Sequence, residues 1–134
     1  MNRRVELVAG WLKKAGNDLL NARNNLGARK VPYDTVCFHC QQAAEKSLKA
    51  FLTFHNIAFT KTHNLLQLLE LGKRAAKDME MLRPALTVLN DYAVLVRYPD
   101  EWFEPERKDA KEAFEFAKQI RDWAVGKIGK QCLP

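Results

Sequence analysis

The sequence predicts an all-α fold, an up-and-down bundle of four long helices plus one short helix. Two observations about pattern predict it. Five segments carry apolar residues at steps of three and four, and none shows sustained alternation. Gly and Pro number only six and five in 134 residues, which favours long regular elements joined by short links. Short links between long amphipathic helices set neighbours antiparallel. The length of 134 residues fits a single helical domain over residues 1–134. About two-thirds of the unfolded chain's surface can be buried at that size, so a core needs no staple.

In the first segment, Val5, Val8, Leu12, Ala15, Leu19, Ala22 and Leu26 form one stripe, which Gly27 ends. The second, 36-VCFHCQQAAEKSLKAFL-52, starts near Asp34 or Thr35 and ends near Asn56. Val36, Cys37, Cys40, Ala44, Ser47, Leu48, Phe51 and Leu52 gather on one side. His39, Gln42, Lys46, Lys49 and Thr53 gather on the other, and Gln41 sits at the border. A short third helix over 62–74 is capped by Thr62 or Asn64, with Gly72 near its end. The fourth begins around Pro84, is apolar on most of its circumference, and stops before Pro99. The fifth runs from about Glu106 to Ile128, with Ala110, Ala113, Phe114, Ala117, Ile120, Trp123 and Ala124 on one face.

Charge is unevenly placed. The net charge of +6 belongs to residues 1–61, while residues 62–134 carry twelve basic and twelve acidic side chains. A basic half can attract phosphate, nucleic acid or an acidic partner, or can simply be solvated. Hydrophobic residues at 47% argue against a disordered chain. No apolar run approaches the 18 residues of a membrane span. The charged start, MNRRVELVAGWLKKAG, does not read as a signal peptide, and three Cys read as reduced thiols, so a cytoplasmic protein is expected.

Cys37-x-x-Cys40 has no second pair to complete a zinc set and lies on the apolar arc, so it reads as core rather than metal site, and no cofactor is expected. His39, His55 and His63 stand beside no nucleophile motif and read as structural. The stripe of His39, Gln42, Lys46 and Lys49 reads either as a solvated face, with a surface Glu45–Lys49 pair, or as a phosphate or partner surface. Gln41 needs hydrogen-bond partners, from a neighbouring backbone or Asn90. Arg97, at the end of the most apolar helix, can complement the helix dipole or fork onto a carboxylate or phosphate.

The stretches QQAAEKSLKAFL (41–52), THNL (62–65) and RYPD (97–100), flanked by AGNDLLNA (15–22) and DAKEAFEFA (109–117), resemble the HEPN family, the higher eukaryotes and prokaryotes nucleotide-binding domain. The resemblance implies a helical bundle, often a homodimer, and for small prokaryotic members a minimal nucleotidyltransferase partner in a toxin–antitoxin system. Some members are metal-independent endoribonucleases using R-x4-6-H. Counting from Arg97, the positions for that His hold Trp102, Phe103 and Glu104, and no His follows His63. The reading is therefore a non-catalytic module that binds nucleotide or RNA phosphate, or pairs with the nucleotidyltransferase. Arg97 would act as fork, Lys46 and Lys49 as point charges, Tyr98 as a stacking or hydrogen-bonding group, and Asp100 as the group orienting Arg97. His39 and Gln42 flank that surface. The alternatives are an endoribonuclease using His39 or His63, and a structural partner docking through a face that includes Trp102 and Phe103.

Overall fold

A computed structural model describes residues 2–95 and 104–134. Helix α1 spans Arg3–Leu26, α2 Tyr33–Phe54, α3 Leu65–Gly72, α4 Arg83–Asn90, α5 Tyr92–Leu95 and α6 Arg107–Lys127. Short 3-10 turns cover Lys77–Leu82 and Lys130–Cys132. The fold is all-α, and no strand occurs among the described residues.

The ends of the helices follow local chemistry. The Asn2 side chain caps α1 by accepting from the Arg4 N–H, and Gly27 closes it. Helix α2 begins at Tyr33, a residue earlier than its Asp34 suggests, and Asp34 Oδ1 accepts from the Thr35 N–H at 2.7 Å. Its exit uses Asn56 in the left-handed region (φ 56°). The Ile57 N–H reaches back to the Leu52 carbonyl at 2.9 Å, a Schellman-type stop in which Asn replaces the usual Gly. Asn64 caps α3, its Oδ1 accepting from Leu66 and Gln67. At the start of α6, Asp109 Oδ2 accepts the Glu106 N–H at 2.8 Å.

Helix α2 is the axle of the bundle and touches α1, α3, α4, α5 and α6. The main core joins its Cys37, Cys40, Leu48, Phe51 and Leu52 to Leu65, Leu68 and Leu69 of α3, to Leu86 and Leu89 of α4, and to Ala113, Ala117 and Ile120 of α6. Full burial of each such Leu or Phe contributes about 1.5–3 kcal/mol. A second cluster packs Val8 and Leu12 of α1 against Ala124, Ile128 and Cys132. Gly72 leaves room for buried Met79, whose sulfur and methyl would have to shift if a side chain stood there.

The fourth predicted helix differs in detail. A 3-10 turn precedes it, and it is interrupted at Asp91, between α4 and α5. Asn90 turns its side chain to α3, where Oδ1 accepts the Leu65 N–H at 2.7 Å. Asn and Asp side chains compete with the helix for backbone groups, which makes the Asn90–Asp91 pair a natural break.

Candidate functional site

A strip of polar side chains along α2 is the chemically distinctive part of the described molecule. One end is organised by Asp18. Ala15, Asp18 and Ala22 follow each other at steps of three and four, so the carboxylate points from α1 into the seam with α2. His39 and Lys46 lie seven residues apart on α2 and so share a face. Asp18 Oδ1 accepts the His39 Nδ1–H at 2.9 Å, and Oδ2 accepts from Lys46 Nζ at 2.6 Å. A carboxylate oxygen can only accept, so Nδ1 carries the proton in that bond, and Nε2 faces away from Asp18.

Glu45, next to Lys46 in the sequence, organises the second group. Its Oε2 accepts from Lys49 Nζ at 3.0 Å and its Oε1 from His63 Nδ1 at 2.9 Å. The pair read from the sequence as a surface ion pair is buried: the Lys49 and Glu45 side chains are only 7% and 4% exposed. The Lys49 ammonium also sits 5.6 Å from the Trp11 ring centre and 5.7 Å from that of Phe59. His63 is about half exposed, so it caps the buried carboxylate from the solvent side.

The two glutamines complete the strip. Buried Gln41 donates to the His63 carbonyl at 3.1 Å and, more weakly, to Glu45 Oε1 at 3.4 Å. Gln42 donates to Gln41 Oε1 at 2.7 Å. A neighbouring backbone thus satisfies Gln41, while Asn90 is used at the start of α3. Each carboxylate is buried with one Lys and one His against it. A buried charge persists only with such compensation, and the strip is balanced by this pairing.

Of the residues singled out by sequence, His39, Gln42, Lys46 and Lys49 therefore fall on one strip of α2. Lys46 and Lys49 are each already held by a carboxylate. Arg97, Tyr98 and Asp100, with Trp102 and Phe103, lie outside the described residues. Sequence reasoning missed Asp18 and the inward role of Glu45. The signal for Asp18 was its place inside the apolar stripe of α1.

Cys37 and Cys40 are free, buried thiols. Burial pushes Cys37 up to about 12, against a weaker opposing hydrogen bond from Tyr92, and burial raises Cys40 also. No group of three or more His, Cys, Asp and Glu with metal-binding geometry occurs among the described residues, and no described helix is long and apolar enough to cross a membrane.

Comparison with known proteins supplies the family. The solved structure of ST0689, an archaeal HEPN homologue, superposes with a TM-score of 0.72 at 30% identity, covering 96% of this chain and all of that one. The protein named "Putative toxin MJ1304" from Methanocaldococcus jannaschii is 27% identical, with 89% of each chain covered. The model of the HEPN domain matches residues 8–128. The chain belongs to the HEPN domain family.

Proposed function

We propose that this chain is the HEPN component of a toxin–antitoxin-type pair and that it grips its target without cutting it. Likeness to a candidate toxin supports the setting. The single observation behind the mode of action is the run after Arg97, in which Trp102, Phe103 and Glu104 fill the positions where the R-x4-6-H nuclease pattern has its His. Cleavage through a ribose 2′-hydroxyl needs one group to take its proton and another to protonate the leaving oxygen. Arg97 stabilises negative charge but stays protonated. An Arg without its imidazole is a phosphate fork, with Tyr98 and Asp100 as its neighbours in sequence.

In this reading the protein is a homodimer, its ligand is a nucleotide or RNA phosphate, and its partner is a minimal nucleotidyltransferase. Titration of ATP, GTP and short RNA against wild type and Arg97→Ala tests the ligand. A loss of about tenfold or more in affinity is expected from removing a charge-assisted fork. Equal binding by both proteins, or none by either, would end the proposal for the ligand. Co-expression with a nucleotidyltransferase encoded beside it, read by size exclusion, tests the partner.

The Asp18–His39 geometry favours one alternative, a ribonuclease in which the carboxylate orients His39 as base, with its Nε2 available. Labelled RNA incubated with wild type, His39→Ala and His63→Ala decides this. RNA that stays intact with wild type removes the alternative, and His-dependent cleavage replaces the main reading with it.

A further inference from the structure

Helices α1 and α6 run antiparallel, with Leu12 beside Ala124 and Gly16 beside Arg121. Between them lies an open groove of about 360 Å³, toward the low end of the size range of small-molecule sites. Arg23 enters it from α1, and Lys118 and Arg121 enter from α6, with Asp122 as the single acid on its lining. None of these three cations is paired with a described carboxylate. The contrast with Lys46 and Lys49, both held by buried acids, is direct.

Arg121 is placed by the fold. Gly16 has no side chain, so the guanidinium lies flat on α1, with Nη2 3.4 Å from where a Cβ would stand. Its hydrogen bonding to described residues is one long contact of 3.5 Å, from Nη2 to the Leu12 carbonyl. Its Nε–H is buried and has no acceptor. With no accessible surface, that N–H lies out of a solute's reach, so an anion in the groove would meet the guanidinium at its η nitrogens. Beside it, the half-buried Phe114 ring and Leu19 give the groove an apolar wall.

We propose that this groove binds a phosphomonoester carried on a planar ring. The phosphate would sit among Arg121, Arg23 and Lys118, and the ring would lie against Leu19 and Phe114 once the Lys118 ammonium, now 5.9 Å from the Phe114 ring centre, swings to the phosphate. The lining carries a net charge of +2 from three cations and Asp122, which matches a phosphomonoester of about −1.5 to −2 at pH 7 better than a carboxylate of −1. Arginine offers a planar fork to phosphate oxygens, and lysine adds a point charge. The site stands on residues other than Arg97 and does not rest on the function proposed above.

Phenyl phosphate is the probe, followed by ¹H–¹⁵N NMR on the full chain. Wild type is expected to shift the Arg121 Nε–H and the Gly16 and Lys118 amides. Inorganic phosphate should bind more weakly, and phenol should shift nothing. Arg121→Gln should weaken binding about tenfold or more. Since Arg121 packs on α1, the exposed pair Arg23→Gln and Lys118→Gln provides a second variant without a folding cost, with the same loss expected. Affinity unchanged within twofold in either variant would overturn the site. Inorganic phosphate binding as tightly as phenyl phosphate would overturn the role of Phe114. Loss in Arg97→Ala together with retention in Arg121→Gln would place the anion at Arg97 and overturn the groove.

Discussion

Two ion-pair clusters in this molecule use the same chemistry at nearly the same distances. In the α1–α2 seam, Lys46–Asp18 is 2.6 Å and Lys49–Glu45 is 3.0 Å. Across α3, the 3-10 turn and α4, Arg83–Glu70 is 2.6 Å and Arg83–Glu80 is 2.8 Å. The difference is water. Lys49 and Glu45 are 7% and 4% exposed, whereas Arg83 and Glu70 are 39% and 56% exposed. Length alone therefore says little about what a pair contributes. A buried pair matters chiefly through what is left behind when one partner goes, and an exposed pair leaves its survivor to the solvent.

The sharpest way to break the comparison is Glu45→Ala. It strands the Lys49 ammonium beneath Trp11 and Phe59 and frees Gln41 and His63 from their shared acceptor. A loss of about 3–5 kcal/mol is expected by urea unfolding. Glu45→Leu combined with Lys49→Met should recover most of it, because apolar replacement of a whole buried pair is often neutral. A cost below about 1 kcal/mol for the single change would show that the seam behaves as surface.

Alkaline pH extends the comparison to buried groups that are neutral. Cys37 and Cys40 carry no charge at pH 7, and burial holds their folded values above the ordinary thiol value of about 8.5. The unfolded chain then loses these protons first. Their contribution is complete below about pH 8.5 and fades as pH rises toward the Cys37 value of about 12. Tyr92 acts with the same sign, raised by burial and by Cys37. The melting temperature of wild type should therefore fall more steeply between about pH 9 and pH 11 than that of Cys37→Ala combined with Cys40→Ala. Parallel curves would assign the alkaline decline to other groups.

The sequence made some of this legible and hid the rest, for a physical reason. Helices α1 and α6 were readable because each buries one stripe: Val8, Leu12, Ala15 and Ala22 in one, and Ala110, Ala113, Ala117, Ile120 and Ala124 in the other. Helix α2 was read as two-sided, yet Gln41, Glu45, Ser47 and Lys49 are buried along with its apolar residues. A helix enclosed on most sides buries polar groups only where partners exist: Gln41 and Glu45 find His63, Lys49 finds Glu45, Ser47 finds the Ala43 carbonyl, and beside them Asp18 of α1 holds His39 and Lys46. Pairings between residues 18 to 28 positions apart leave no trace in a period of 3.6. The groove cations are hidden similarly, since Arg23 and the pair Lys118 and Arg121 stand about 95 positions apart and form no motif. Only the fold brings them together.

The smallest effect belongs to Arg83→Ala. It removes three charge-assisted contacts, to Glu70 Oε1 and to both oxygens of Glu80, and a tally of hydrogen bonds alone would predict a large loss. Hydrogen bonding by Arg83 holds both carboxyls below the usual range. A depressed carboxylate adds stability only above its unfolded value of about 4.3, and that share disappears as pH falls through the folded value. All three side chains are open to water, which already solvates the charges and screens their attraction. The expected cost is small, a urea midpoint close to that of wild type in 0.1 M salt at pH 7. Raising salt to about 1 M shortens the screening length from about 10 to about 3 Å and should erase most of it. Glu45→Ala measured alongside should respond far less, because mobile ions do not enter the seam. A large, salt-insensitive loss at Arg83 would mean that this network is organised like the buried one, and exposure would no longer separate the two clusters.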